Sequence, residues 1–112
     1  MARLLSGAMI RKAFLMKLKA GCREEYERWH KPIWLDLQKV LREHGVHNYS
    51  IFLEPDTNRL FAYAEIESER LWRQIANTEV CRRWWAHQRE LMETNSDNSP
   101  VKWELEEIFR LD

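Results

Sequence analysis

Val46-His47-Asn48-Tyr49-Ser50-Ile51-Phe52-Leu53, followed by Glu54-Pro55-Asp56-Thr57-Asn58 and then Arg59-Leu60-Phe61-Ala62-Tyr63-Ala64-Glu65-Ile66, is the stretch that decides the fold. β-branched and aromatic residues fill the two outer runs, and a turn-rich Pro/Asp/Asn segment joins them, which predicts an antiparallel hairpin. The apolar residues fall on both faces. Phe61 and Tyr63 oppose Leu60, Ala62, Ala64 and Ile66, while Tyr49 and Ile51 oppose Val46 and Phe52. A sheet that is apolar on both sides needs a cover on each.

Working outward, Ile10 to Lys19 alternates as a strand, with Ile10, Phe14, Met16 and Leu18 on one face. Lys12 interrupts that face and is expected to reach a pocket or a subunit partner. Cys22 to His44 reads as a helix with Trp29, Ile33, Leu37 and Leu41 along one side. Pro32 lacks the amide hydrogen a continuous helix uses, so a kink or break is expected directly after His30. Gly45 suits the helix end. Ser68 and Thr78 are candidate N-caps for two short helices. The first carries Leu71, Trp72 and Ile75; the second carries Cys81, Trp84, Trp85, Leu91 and Met92. Asn95 to Pro100 is a loop, and Val101 to Leu111 alternates as a last strand.

The order β-α-β-β-α-β predicts an α+β, ferredoxin-like domain: a four-stranded antiparallel sheet with helices on one face. The other face is then bare, and a second copy packed sheet to sheet is the economical cover, giving a homodimeric α/β barrel. Residues 9–112 form this single domain, and residues 1–8 are an N-terminal extension.

Composition narrows the function. The chain has 112 residues, with 18 basic and 18 acidic side chains and a formal net charge of zero. Nucleic-acid binders usually carry a basic excess or stripe, so none is expected as partner. No apolar run approaches a membrane span, and no secretory signal is evident. The two cysteines, Cys22 and Cys81, lack CxxC spacing, which fits a cytoplasmic protein with reduced thiols.

The candidate chemistry lies in Tyr26-Glu27-Arg28-Trp29-His30-Lys31-Pro32-Ile33-Trp34. Residues four apart share a helix face, so Tyr26 and His30 can address one ligand. Imidazole exchanges protons near neutral pH. Trp84-Trp85 offers indole surfaces that stack on the C–H face of a sugar; two plain core tryptophans are the competing reading. His44 and His47 flank Gly45 but lack any metal-ligand spacing, and no metal is expected. No phosphate loop or nucleophile motif is present. Glu24, Glu25 and Glu27 are accounted for by the helix dipole, and the polar Asn95–Pro100 loop is most simply a loop.

Five separated blocks together resemble the L-rhamnose mutarotase family: Met9-Ile10-Arg11-Lys12-Ala13-Phe14; Glu25-Tyr26…His30-x-Pro32-Ile33-Trp34; His44-Gly45-x-His47-Asn48-Tyr49; Val80-Cys81-x-x-Trp84-Trp85; and Asp97-Asn98-Ser99-Pro100. The resemblance runs from Met9 to the end. It implies a sheet-to-sheet dimer and cofactor-free interconversion of the α and β anomers of L-rhamnose. It makes His30 the proton donor, and Tyr26, Tyr49, Trp84 and Trp85 the substrate contacts. Trp29 departs from the family, where a polar residue is common. The base that takes the anomeric proton is not named by the sequence. The competing readings are a non-catalytic sugar-binding dimer and a monooxygenase on the same dimeric fold.

Overall fold

The computed structural model describes residues 9–112, so the expected N-terminal extension lies outside the described residues. Strands β1 (Ile10–Lys17), β2 (Val46–Glu54), β3 (Arg59–Ile66) and β4 (Trp103–Leu105) form one sheet in the order β2-β3-β1-β4. Every neighbouring pair is antiparallel. The helices are α1 (Arg23–Trp29), α2 (Leu35–Glu43), α3 (Glu69–Ile75) and α4 (Glu79–Gln88). This is the expected ferredoxin-like arrangement, with each helical region delivered in two pieces.

The first region breaks where proline chemistry requires. α1 ends at Trp29, His30 is its C-cap, and the Lys31–Pro32 peptide is cis. α2 ends at Glu43 with His44 as its C-cap, and Gly45 follows at φ +77°, a left-handed conformation that glycine adopts without a Cβ penalty. A Cβ on Gly45 would meet that of Glu67 at 2.9 Å. In the second region Ser68 Oγ accepts from the Leu71 N–H at 3.1 Å, and Thr78 Oγ1 accepts from the Cys81 N–H at 3.2 Å. Both expected caps are in place.

One face of the sheet carries the core. Phe14, Met16 and Leu18 come from β1 and the segment just after it, and Leu60, Ala62, Ala64 and Ile66 from β3; all are buried. Tyr26, Leu37, Ile75, Cys81 and Trp84 close over them from the four helices. Lys12 ends between Glu69 and Glu104, at 3.2 and 3.6 Å, so two carboxylates satisfy the cation that interrupts the apolar face.

Three local expectations are corrected. Strand β2 is irregular between His47 and Ser50, where two residues oppose one on β3 and Asn48 takes φ +49°. This bulge resets the alternation, so Val46 joins Tyr49 and Ile51 on the helix-covered face and only Phe52 of that group faces away. Helix α4 stops at Gln88; Leu91 and Met92 are buried beyond it, Met92 bridging to Leu18. The last strand is Trp103–Leu105 alone, pairing with Ala13–Leu15. Past Leu105 the alternating residues find no backbone partner among the described residues, and Ile108, Phe109 and Leu111 are 77–86% exposed. Alternation marks a face to bury, but a strand also needs a neighbouring edge.

Candidate active site

A cleft of about 1190 Å³ opens between the helix-side face of the sheet and the four helices. Small-molecule sites typically span ~300–1,000 Å³, so this one has room for a monosaccharide and ordered water. Tyr26, His30, Tyr49, Trp84 and Trp85 all line it. The five residues expected at the site therefore converge on one cavity from two helices and a strand.

His30 sits at the point where α1 ends. Its Nδ1 lies 2.7 Å from the Tyr26 carbonyl oxygen. A carbonyl only accepts, so Nδ1–H is the donor, and proton exchange with a ligand is left to Nε2. The ring stands 4.3 Å from the Tyr26 ring and meets Trp84 edge-on at 5.3 Å. Trp34, the residue before α2, meets the same indole edge-on at 5.0 Å. Burial lowers the His30 pKa below its ordinary value, and the bond to the Tyr26 carbonyl offsets this only in part. Desolvation of this kind disfavours the charged form, which makes the imidazolium a stronger acid and a smaller population.

The two phenols stay neutral. Tyr26 is 7% exposed, and burial raises its pKa well above 10, with Tyr49 close enough to add to the effect. Tyr49 reaches the cleft because the β2 bulge turns it inward. It keeps 36% of its surface open, while desolvation of its hydroxyl and the nearby Cys81 thiol raise its pKa. Neutral phenols are donors and acceptors at once. Trp84 is buried, whereas Trp85 is half-buried and also packs against Val46, Ala64, Ile66, Ile75 and Cys81. Core packing and cleft lining are thus joint roles of this pair. Trp29 stacks on His87 at 4.0 Å and 24°, so the departure from a polar residue is matched by an aromatic neighbour on α4.

The other histidines serve elsewhere. His44 Nδ1–H donates to the Val40 carbonyl at 2.7 Å, and His47 Nε2 lies 2.7 Å from Glu67. Among the described residues no three His, Cys, Asp or Glu side chains gather as a metal site. Nor is any helix among them long and apolar enough to cross a membrane.

The segment read as most simply a loop contributes to the wall, and sequence reasoning passed over Gln88. Asn95, Asp97 and Ser99 line the cleft from the loop, and Lys102 from just beyond it. Asp97 accepts from the Ser99 N–H at 3.0 Å and from its hydroxyl, which lowers the Asp97 pKa. Gln88 lines it from α4, and the one signal for it was a polar residue four places after Trp84 on an apolar face.

The family model for L-rhamnose mutarotase matches residues 11–111. The chain belongs to the L-rhamnose mutarotase family. The L-rhamnose mutarotase of Opitutus terrae is 58% identical to it over 104 residues, spanning 93% of this chain and 100% of that relative. The crystal structure of an L-rhamnose mutarotase from Formosa agariphila superposes with a TM-score of 0.85 at 38% identity, covering 92% of this chain and 99% of that one. A dimeric ferredoxin-like protein from an uncultured marine organism shares the fold alone, with a TM-score of 0.57 at 10% identity and coverage of 94% and 95%. The mutarotase family match spans the whole cleft, from Tyr26 to the Asn95–Pro100 loop.

Proposed function

We propose that this chain interconverts the α and β anomers of L-rhamnose, with His30 as the proton donor. The observation that carries the reading is the placement of His30: Nδ1 is tied to the Tyr26 carbonyl, and the ring is held between Tyr26 and Trp84 on the wall of the cleft. Ring opening protonates the ring oxygen, removes the proton of the anomeric hydroxyl and breaks the bond between C1 and the ring oxygen. Rotation about C1–C2 turns the aldehyde over, and reclosure reverses the proton transfers. The ring oxygen is common to both anomers, whereas the anomeric oxygen changes face. A single fixed imidazole therefore fits the ring oxygen, donating through Nε2–H on opening and recovering the proton on closure.

Tyr26 and Tyr49 hydrogen-bond the sugar hydroxyls, and Trp84 and Trp85 supply stacking and a dry wall for the 6-deoxy methyl. The anomeric proton leaves to water in the cleft. The Asp97 carboxylate, kept in its charged form by the bonds from Ser99, also lines the cleft and is a second acceptor for that proton. General acid and base transfer, each worth ~100- to 10,000-fold, accounts for such a reaction. Saturation transfer between the two anomeric proton signals of L-rhamnose tests the activity. Exchange accelerated by the protein supports it, and exchange at the buffer rate overturns it.

The working unit is a homodimer. Phe52 pairs across to Phe61, Phe61 to Leu15 and Leu15 to Trp103, so one row of apolar residues crosses the bare face of the sheet. Leu105 extends it beside Ala13. A second copy covers this face and gives the apolar tail beyond Leu105 a surface to bury on. Two cysteines without a disulfide suit a reducing compartment, and the protein is assigned to the cytoplasm on that basis.

A further inference from the structure

Gln88 is 4% exposed, and its Oε1 is buried with no hydrogen-bond partner among the described residues. An unpaired buried amide oxygen bears its full desolvation cost. Such a group is retained where something outside the chain completes it. Gln88 lines the cleft, one helical turn beyond Trp84. Residues four apart share a helix face, and Trp84 is the indole that meets His30 edge-on at 5.3 Å. Gln88 and Trp84 therefore share the face of α4 that carries the His30 contact.

We infer that Gln88 is a hydroxyl-recognising residue of the sugar site, its Oε1 accepting a hydrogen bond from one ring hydroxyl of the substrate. The inference rests on the sugar-site reading above. It sets selectivity as well as affinity, because a sugar lacking that hydroxyl leaves the amide oxygen unpaired. A resident water is the competing occupant, and it would leave sugar affinity untouched by loss of the amide.

Gln88→Met removes the amide at similar volume. The free protein is expected to melt at the same or a higher temperature, since an unpaired polar group is replaced by an apolar one. KM for L-rhamnose is expected to rise ~3- to 10-fold, the loss of one neutral hydrogen bond, and to change more than kcat. Among the 2-, 3- and 4-deoxy analogues used as competitors, one should bind wild type more weakly than L-rhamnose does and lose that handicap in the variant. An unchanged KM, a lowered melting temperature or failure to fold would each make Gln88 structural or water-bound and overturn the inference. Wild type that leaves anomer exchange at the buffer rate overturns the sugar-site reading and this inference with it. An active wild type with an unaltered KM in Gln88→Met removes Gln88 alone.

Discussion

Phe52→Glu should dissociate the proposed homodimer. Phe52, Phe61 and Trp103 leave 66%, 39% and 50% of their surfaces open on the bare face. At ~150–250 Å² per aromatic side chain, that amounts to roughly 300 Å² on each protomer. Burying it against a second copy gives about 15 kcal/mol for the pair at ~25 cal/mol per Å², against ~4–15 kcal/mol for association. Leu15, Leu105 and the apolar tail add to the favourable side. Phe52 alone supplies roughly 130 Å² of this, or about 3 kcal/mol per protomer. Two-fold symmetry applies the loss twice and seats two carboxylates on the interface. At ~1.4 kcal/mol per decade, dimerisation should weaken by a factor on the order of 10,000. Sedimentation equilibrium at micromolar concentration reads this directly, with circular dichroism to show that the variant is folded. A wild-type monomer under those conditions, or a Phe52→Glu dimer of unchanged affinity, would refute the reasoning.

Tyr26→Phe keeps the buried ring and deletes a hydroxyl that has no hydrogen-bond partner among the described residues; KM for L-rhamnose should rise ~2- to 10-fold with the melting temperature held or raised, as enzyme kinetics and a thermal melt will show. Gly45→Ala forces a side chain into φ +77° and against the Glu67 Cβ at 2.9 Å. It should cost at least ~1–2 kcal/mol, seen as a melting temperature lowered by roughly 5–10 °C. The His30 pKa is lowered by burial, so below about pH 6.5 the unfolded chain takes up a proton that the folded one refuses. Stability should therefore fall as pH drops through that value toward the folded-state pKa. Melting His30→Gln across pH 5–8 should show that component gone.

Much of the fold was legible because each signal had a local cause. Ser68 and Thr78 cap helices, Pro32 breaks one, Gly45 ends one, and the two-faced apolar pattern around Phe61 marks a sheet that leaves one apolar face exposed. What stayed hidden depends on partners distant in sequence. The bulge at Asn48 is fixed by pairing to β3, and it reversed the face assigned to Val46. The alternation from Val101 to Leu111 looked like a strand, yet only Trp103–Leu105 meets an edge. At the site, Tyr26 and His30 could be paired by helical spacing alone. Nothing in the spacing showed that the His30 ring would give its Nδ1–H to the Tyr26 carbonyl, which directs its chemistry to Nε2. Gln88 was invisible for a related reason: an amide on a helix is ordinary until burial removes its partners.

The central claim is that His30 carries the proton that opens the sugar ring. Anomer exchange of L-rhamnose by saturation transfer, run across pH on wild type and His30→Ala, tests it most directly. Donation from the imidazolium predicts that wild-type kcat/KM declines as pH rises past the lowered His30 pKa, and that His30→Ala loses ~100- to 10,000-fold with no such dependence. Full activity in His30→Ala, or a wild-type profile that declines toward acid instead, would contradict it.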